Sequence, residues 1–315
     1  MIAENHRERG TLMLDFRVET FLAVCRHMNF TKAARELSIT QPAVSHHIRY
    51  LEQAYGAVLF RHNGKRLQLT EAGEILRRTL LTMKHDEQHL QKRMQQAATG
   101  TRDYSFGATL SVAEFMLNEA LGRFLHLHPD SRIRMQVADT KVLLSKLDSG
   151  ELDFAVVEGD FPKAEYDFFV FGTEEYVAAA APDKAARYRG RQLTQMLDEP
   201  LLLREEGSGT RVILEYYLRE RGLAAADFAR TVEIGNIGAI KTLLRSGYGV
   251  SFLYRAAIRP EETAGTLGVI ELSDFRLRHD IMFLFPKNSN FRADYTTIFR
   301  ELRACAQPDG AHPET

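Results

Sequence analysis

The chain has few residues that could form covalent crosslinks and no segment that could cross a membrane. Its two cysteines, Cys25 and Cys305, lie far apart without a Cys-x-x-Cys spacing. This excludes a disulfide framework and a thiolate metal site, and we expect both cysteines in helices as small apolar residues. No run approaches the ~18 apolar residues that span a bilayer, and residues 1–10 are too polar for a secretion signal. A cytoplasmic protein is therefore expected.

Signatures of catalysis and of cofactor binding are also missing. Ser208 lies in a Gly-Ser-Gly turn without the spacing of a nucleophile elbow, and no Gly-x-x-x-x-Gly-Lys-Ser/Thr loop for nucleotide phosphates occurs. His46-His47 and the pair His126 and His128 lack the i,i+4 spacing and the third ligand of a zinc site. We expect no enzyme activity, no cofactor and no metal, with these histidines facing solvent or phosphate.

The net charge of −1 hides an asymmetry along the chain. At ~150 residues per domain, 315 residues predict about two domains. Residues 1–98 contain 15 Lys and Arg against 10 Asp and Glu, whereas the remainder contains 26 against 32. Chance is one explanation. The other is a basic module that meets a polyanion, followed by an acidic module with another task.

Three short helices are predicted near the start of the chain. The first covers residues 14–28, where the apolar residues fall on one face. Thr31 is placed to cap a second helix over 32–37, and Thr40 caps a third helix with Pro42 in its first turn. A tight connection between the second and third helices is the outline of a helix-turn-helix.

A basic hairpin follows these helices. Strands over 58–61 and 67–70 flank Asn63-Gly64, a turn signal because both residues tolerate positive φ. The hairpin carries three basic side chains, namely Arg61, Lys65 and Arg66. We interpret it as the wing of a winged helix-turn-helix.

The third helix has a polar face where a recognition helix enters the major groove of DNA. The polar residues are Gln41, Ser45, His46 and Arg49, and the apolar residues of the helix lie opposite. Glutamine can bond adenine, serine and histidine can bond base edges or phosphate, and arginine suits phosphate or guanine. A merely solvated face is the alternative, which the neighbouring cap and wing disfavour.

Thr70 caps a long helix that continues to about residue 98. Its apolar residues repeat at alternating spacings of four and three, which is typical of a heptad seam. We expect dimerisation through Leu76, Leu80, Met83, Leu90 and Met94. The alternative is a helix that packs on its own domain, but the polar residues over most of its surface favour a partner helix. We expect residues 99–101 to form a flexible linker after this helix.

From residue 102 onward, strand and helix patterns alternate, which predicts a parallel α/β fold. Strands are expected over 104–109, 132–138 and 153–157, with helices over 112–126 and 141–147. A second set comprises strands over 201–203, 231–234 and 250–253, with helices over 210–221 and 237–246. A strand over 281–285 and a helix over 294–305 complete the first lobe, and crossover strands near 168–171 and 269–272 join the lobes. The two lobes enclose a cleft.

Hydroxyl side chains follow several predicted strands, at the edge where open α/β folds bind ligands. They are Thr109 and Ser111 after the first strand, Thr140 after the second, and Ser208 and Thr210, with Gly209 between them, at the start of a helix. The N-terminus of that helix suits a small anion or a carboxylate. Each hydroxyl could instead cap its helix, as we expect of Asn236, and Arg204 is expected at the surface of a strand end.

Several stretches of the sequence resemble the LysR-type transcriptional regulators. In the DNA-binding part they are FLAV (21–24), FTKAAREL (30–37), TQPAVSHHIRYLE (40–52), LF (59–60) and LTEAG (69–73). Further along they are FGAT (106–109), SGELD (149–153) and REEGSGTR (204–211). The resemblance covers about residues 14–305.

The resemblance implies a winged helix-turn-helix, a linker helix that dimerises, and a two-lobed α/β effector domain of the periplasmic-binding-protein type (type II). The implied boundaries are a disordered leader over 1–13, the DNA-binding domain over 14–70, the linker over 71–100, the effector domain over 101–305 and a tail over 306–315. Lobe I then comprises 101–169 and 271–305, and lobe II comprises 170–270. DNA contacts are expected from Thr31, Gln41, Pro42, Ser45, His46, Arg49, Arg61, Lys65 and Arg66. The effector is expected to contact Thr109, Ser111, Thr140, Ser208, Gly209 and Thr210.

Two features depart from the family pattern. His62 stands where the family commonly has Arg two positions after the Leu-Phe pair, so that wing contact is not carried over, and Arg61 is the candidate to replace it. The chain also begins about a dozen residues earlier than family members usually do.

We conclude from the sequence that the chain is a homodimeric or homotetrameric transcriptional regulator that binds double-stranded DNA and a small, anionic metabolite. RNA polymerase is a further candidate partner, and no membrane is expected. The alternative is a solute-binding or enzymatic α/β protein with a helical dimerisation arm. A regulator that responds to dimerisation or redox state without an effector is a third possibility, for which the two cysteines offer no supporting pair.

Overall fold

A computed structural model describes residues 14–64 and 66–306, so the leader over 1–13, Lys65 and the tail over 307–315 lie outside the described residues. The chain divides into two compact units. The first runs to Gly100 and includes two later segments, Asp148–Glu151 and Pro286–Arg292. The second consists of the remaining residues from Thr101 onward. Each unit has its own secondary structure and its own core.

Three helices start the first unit, namely α1 (Phe16–His27), α2 (Phe30–Glu36) and α3 (Gln41–Tyr55). Thr40 caps α3 as predicted, because its hydroxyl accepts a hydrogen bond from the amide of Ala43. The prediction that Thr31 caps α2 is wrong. Asn29 is the cap, since its side-chain oxygen accepts from the Lys32 amide at 2.9 Å, and Thr31 lies inside the helix. The apolar faces of the three helices meet in one core, together with Leu59 and Phe60.

A two-stranded hairpin follows α3, formed by β1 (Phe60–Asn63) and β2 (Arg66–Leu69). Asn63 pairs with Arg66 in the antiparallel register, so Asn63 belongs to β1 and the turn starts at Gly64. The prediction of an Asn63-Gly64 turn is therefore displaced by one residue. Gly64 has a φ of +60°, the left-handed conformation that glycine adopts without strain.

The long helix α4 (Glu71–Thr99) begins at the predicted cap, because the Thr70 hydroxyl accepts from the Gly73 amide at 3.0 Å. Gly73 allows a close approach of α4 to the start of the hairpin. A Cβ at this position would lie 2.2 Å from the carbonyl oxygen of Leu59, which is far shorter than a van der Waals contact. Gly100 ends the helix in the left-handed conformation.

The second unit is built on a nine-stranded sheet with the order β4-β3-β5-β11-β6-β9-β7-β8, in which β10 pairs with β6. The strands are β3 (Arg102–Ala108), β4 (Ser131–Val137), β5 (Phe154–Val157), β6 (Tyr166–Ala180), β7 (Pro200–Leu203), β8 (Arg230–Glu233), β9 (Val250–Tyr254), β10 (Gly268–Ile270) and β11 (Leu277–Pro286). β3 is parallel to β4 and β5, and β7 is parallel to β8 and β9. The sheet thus has two parallel halves, which β6 and β11 join.

Helices connect these strands. They are α5 (Leu110–Phe115), α6 (Asn118–Leu127), α7 (Thr140–Asp148), α8 (Pro182–Arg187), α9 (Gly209–Arg219), α10 (Ile237–Arg245), α11 (Arg255–Thr263) and α12 (Arg292–Ala306). The single helix predicted over 112–126 is two helices with a break at Met116 and Leu117, and α8 and α11 had no counterpart in the sequence prediction. Within the ranges that the structure describes, no helix is both long enough and apolar enough to span a membrane.

The strands that join the two halves differ from the predicted crossovers. The segment near 168–171 is part of β6, a strand of 15 residues. The predicted crossover near 269–272 is wrong, because β10 is a three-residue strand that only pairs with the end of β6. β11 takes that role, since it pairs with β5 in one half and neighbours β6.

Candidate ligand site and nucleic-acid interface

The polar face of α3 is open at the surface of the first unit. Gln41, His46 and Arg49 are exposed and Ser45 is half-buried, while the amide of Gln41 donates to the Ser45 hydroxyl at 2.9 Å. The opposite face is buried in the core through Val44, Ile48 and Leu51. The four polar side chains therefore lie together on one accessible face, with the geometry that a recognition helix requires.

The two adjacent histidines of α3 have different surroundings. His47 packs edge-on against Phe16, and its Nδ1 lies 2.9 Å from the hydroxyl of Thr20 in α1. Burial lowers the pKa of His47, and the charges of Arg17 and His46 lower it further. His47 thus helps to hold α3 against α1, and the outward-facing His46 is the one available to a ligand.

The other predicted DNA contacts that the structure describes lie at the surface of the first unit. Thr31 at the start of α2, Pro42, and Arg61 and Arg66 on the hairpin are all exposed. The structure does not describe Lys65. His62, at the position where the family commonly has Arg, is exposed beside Arg61.

The predicted seam of α4 divides into two parts. Leu80 is only 3% exposed and belongs to the core of the first unit, against which Leu76 also packs. Met83, Leu90 and Met94 are exposed. In a single chain, therefore, only the second part of the seam presents apolar side chains at the surface.

The hydroxyl residues predicted to bind a ligand lie at the carboxyl ends of the strands. Thr109 follows β3 and precedes α5, yet its hydroxyl makes no capping hydrogen bond, and the buried Oγ1 has no hydrogen-bond partner in the part of the chain that the structure describes. Ser111, in the first turn of α5, is also buried. Thr140 starts α7 after β4 and lies against Gly159, where a Cβ would be 2.3 Å from its Oγ1. The alternative was that the Thr109 hydroxyl caps α5, but this hydroxyl makes no hydrogen bond to the first turn of that helix.

The second set of hydroxyl side chains lies at the N-terminus of α9. Ser208 precedes the helix, but its side chain makes no capping hydrogen bond and instead lies 2.8 Å from the hydroxyl of Thr210. Both residues are buried. The first amides of a helix have no partner within the helix, so this end carries a partial positive charge. Asn236, by contrast, caps α10 as expected, accepting from Ala239 at 2.9 Å.

The two halves of the sheet meet at this point. A Cβ at Gly209, the first residue of α9, would lie 3.3 Å from Cγ and 3.4 Å from Oε1 of Glu158, which follows β5. A Cβ at Gly207 would lie 3.5 Å from the carboxylate of Asp139, which follows β4. The helix terminus from one half therefore faces the strand ends of the other half.

Glu158 is the main residue that the sequence prediction missed. The residue is 3% exposed, and its buried Oε2 has no hydrogen-bond partner within residues 14–64 and 66–306. Burial raises its pKa to about 7, against the opposing effects of its own backbone hydrogen bond, the charge of Arg204 and a hydrogen bond with Ser111, while the charge of Asp139 raises it further. Its position directly after a strand is the signal that identified Thr109 and Thr140.

Arg204 is buried, not at the surface as predicted. Only 5% of the residue is exposed, and its guanidinium donates two hydrogen bonds of 2.7 Å to the carboxylate of Glu205. The charge of Arg204 is therefore already paired at the end of β7. Across residues 14–64 and 66–306, no group of three or more His, Cys, Asp or Glu side chains is placed to hold a metal ion.

Two family models match the chain. Residues 17–74 match the model described as bacterial regulatory helix-turn-helix protein, lysR family, and residues 99–305 match the LysR substrate binding domain. The RuBisCO operon transcriptional regulator of Acidithiobacillus ferrooxidans is 28% identical over 299 residues, which cover 93% of this chain and 94% of that protein.

Solved structures share the fold. Full-length LysG of Corynebacterium glutamicum with bound effector Arg has a TM-score of 0.59 and 19% identity, covering 93% of this chain and 98% of that one. The CcmR regulatory domain of Synechocystis PCC6803 in complex with 2-PG has a TM-score of 0.58 and 19% identity, covering 66% of this chain and 99% of that one.

The family matches decide between the alternatives that the sequence left open. LysR-type regulators bind DNA and small-molecule effectors and form oligomers, and they are not enzymes. The alternative of a solute-binding or enzymatic protein is therefore rejected. The chain belongs to the LysR-type transcriptional regulators, with a helix-turn-helix that binds DNA and a domain that binds an effector.

Proposed function

We propose that the effector is a small anion that binds between the carboxyl ends of β3–β5 and the N-terminus of α9. The residues that contact it are Thr109, Ser111, Thr140, Ser208, Gly209 and Thr210. One observation carries the proposal: Gly209 lies against Glu158, which brings the hydroxyls of both halves of the sheet to one place. The hydroxyls of Thr109 and Ser208 do not cap their helices, and Oγ1 of Thr109 has no hydrogen-bond partner among the described residues, which leaves it to a ligand.

Anion binding follows from the physical character of the site. The amides at the start of α9 point toward it, and the helix dipole favours negative charge there. Hydroxyl groups donate to anionic oxygens without adding charge. That LysG binds Arg and CcmR binds 2-PG supports a small molecule as effector of this chain.

We propose that the same chain reads DNA with α3 and attracts phosphate with the hairpin. The base-reading residues are Gln41, Ser45, His46 and Arg49, and Thr31, Pro42, Arg61, Lys65 and Arg66 contact the backbone. Two chains pair through α4, as a homodimer or within a homotetramer, and the protein acts in the cytoplasm, where its DNA lies. Effector binding would change the arrangement of the paired helix-turn-helix domains on DNA.

A thermal-shift screen of the full-length chain against inorganic anions, carboxylic acids and amino acids tests the effector site. A ligand that binds the native state raises the melting temperature. Thr109→Val and Ser208→Ala should each reduce the shift that the best anion gives, whereas Thr297→Val, on the exposed surface of α12, should leave it unchanged. Equal shifts for all variants would place the ligand elsewhere.

DNA binding is tested with a duplex selected from random-sequence DNA by the full-length protein. The double variant Ser45→Ala, Arg49→Ala should lower the affinity for the selected duplex by about a hundredfold, because each lost base contact costs about 1–3 kcal/mol. Binding to an unselected duplex should fall much less. Unchanged affinity for the selected duplex would show that α3 is not the recognition helix.

A further inference from the structure

The site proposed for the anion contains a carboxyl group of its own. Glu158 is almost completely buried, and its Oε1 lies 3.4 Å from the position that a Cβ at Gly209 would occupy. The other oxygen, Oε2, has no hydrogen-bond partner among the described residues. A buried acceptor without a donor is costly, so a ligand that supplies a donor would gain from binding there.

The groups around Glu158 do not neutralise it. Arg204 is the nearby cation, and its guanidinium is engaged with Glu205. Asp139, from the end of β4, adds a second negative charge, and the Ser111 hydroxyl from α5 bonds the carboxyl group. Tyr254, at the end of β9, is buried with its pKa raised, first by burial and then by the charge of Glu158, so it stays protonated. A fully ionised anion at the start of α9 would therefore meet a carboxylate without a donor between them.

We propose that Glu158 makes this site selective for a small anion that carries its own hydrogen-bond donor, such as a protonated oxyanion or a 2-hydroxy acid. The proposal rests on the anion site proposed above. The ligand places its charged oxygens at the amides of α9 and at the hydroxyls, and its O–H donates to Oε2 of Glu158. An anion of the same size without a donor leaves Oε2 unpaired and is repelled.

This selectivity depends on pH, because the carboxyl group of Glu158 can itself take up a proton. Burial raises the pKa of Glu158 to about 7. Below that pH the carboxyl group is protonated and can itself donate to an ionised oxygen, so the site accepts both kinds of anion. Above it, only a ligand that brings a donor fits. Binding of an anion without a donor then requires uptake of one proton, and its affinity falls by about tenfold per pH unit.

Inorganic phosphate and sulfate are matched probes, because both are tetrahedral, and phosphate keeps a proton at neutral pH whereas sulfate has none. We expect calorimetric titration of the full-length chain at about pH 8 to give at least about tenfold tighter binding of phosphate. At about pH 6 the preference should shrink severalfold, because protonated Glu158 can then donate to sulfate. The same preference at both pH values would overturn the proposal without a variant.

Glu158→Gln tests the residue directly. The amide can both donate and accept at any pH, so the preference for phosphate at about pH 8 should fall to within about threefold, and sulfate binding should no longer depend on pH. Glu206→Gln is the matched control, since it removes an exposed carboxylate two residues after Arg204. It should leave the ratio of phosphate to sulfate affinity as in the wild type. A ratio unchanged by Glu158→Gln overturns the proposal.

Glycolate and acetate serve as two further probes, which distinguish a ligand whose donor is a 2-hydroxyl group from one whose donor is a protonated oxyanion. Preference for glycolate over acetate, lost in Glu158→Gln, supports a 2-hydroxy acid, and preference for phosphate alone supports a protonated oxyanion. If all four anions bind without discrimination, the anion site stands and the role of Glu158 is wrong. If none binds at either pH, the anion site itself is wrong, and this proposal is overturned with it.

Discussion

At the scale of single residues, Gly73 is a position where one methyl group should decide the stability of the first unit. A Cβ there would lie 2.2 Å from the carbonyl oxygen of Leu59 and 2.7 Å from Cδ2 of Leu69. The Leu59 oxygen cannot move freely, because it accepts a hydrogen bond of 3.0 Å from the Thr70 amide. Gly73→Ala should therefore destabilise the unit by about 1–3 kcal/mol, although alanine favours a helix.

Gly122 provides the control for this substitution. It lies inside α6, and a Cβ there would meet nothing within 4 Å, so Gly122→Ala should stabilise its own helix by about 0.5–1 kcal/mol. Hydrogen exchange of the α1–α3 amides reports on the first unit separately from the second. Unchanged exchange in Gly73→Ala would show that the hairpin shifts to accept the methyl group.

The residues that sequence reasoning placed correctly are those whose role is local. Thr40 and Thr70 cap the helices that follow them, and these roles depend on three or four neighbouring residues. Glu158 and Arg204 were missed or misplaced, because their burial depends on residues distant in sequence. The contact of Glu158 with Gly209 and the burial of Arg204 are tertiary properties, which no local pattern contains.

At the scale of elements, the question for α4 is whether its heptad pattern reflects pairing with the same helix of a second chain. Leu80 is already buried in its own unit, so the dimerisation proposal rests on Met83, Leu90 and Met94. In Leu90→Lys, Met94→Lys each helix should lose two apolar contacts of about 1.5–3 kcal/mol and gain two charges in the seam. The dissociation constant of the dimer should rise by about a hundredfold or more, measured by light scattering over a range of concentrations.

The control adds the same charge to the same helix away from the seam. Gln91→Lys, Gln95→Lys changes two exposed positions and should leave the mass of the oligomer unchanged. If both double variants remain dimeric at the lowest concentration, α4 does not hold the chains together, and the seam pattern reflects packing within the chain.

An element whose burial follows one pattern along its length was predicted well, whereas an element whose surroundings change along its length was not. α10 has one buried face and clear ends, and its predicted bounds lie within about one residue of those observed. β6 is partly exposed over most of its length and becomes continuously buried only at its end, because its partners change along its length. No glycine or proline marks the break between α5 and α6, so the pattern predicted one helix.

At the scale of the whole molecule, the charge asymmetry predicts how DNA affinity responds to salt. The net charge of −1 combines an excess of five basic residues over positions 1–98 with an excess of six acidic residues over the rest. Only the first part carries the α3 face and the hairpin. If these meet phosphate, binding to an unselected duplex should weaken steeply with salt, with a slope that counts the phosphates neutralised, about 0.9 for each.

Removing charge from the hairpin separates local contact from overall charge. Arg61→Gln, Arg66→Gln should reduce the slope of log affinity against log salt by nearly two for each bound chain, because two phosphate contacts are lost. Arg219→Gln, Arg245→Gln removes the same charge from exposed positions of the second unit and should leave the slope unchanged. If both pairs lower the slope equally, DNA responds to the net charge of the molecule, and the hairpin is not the wing.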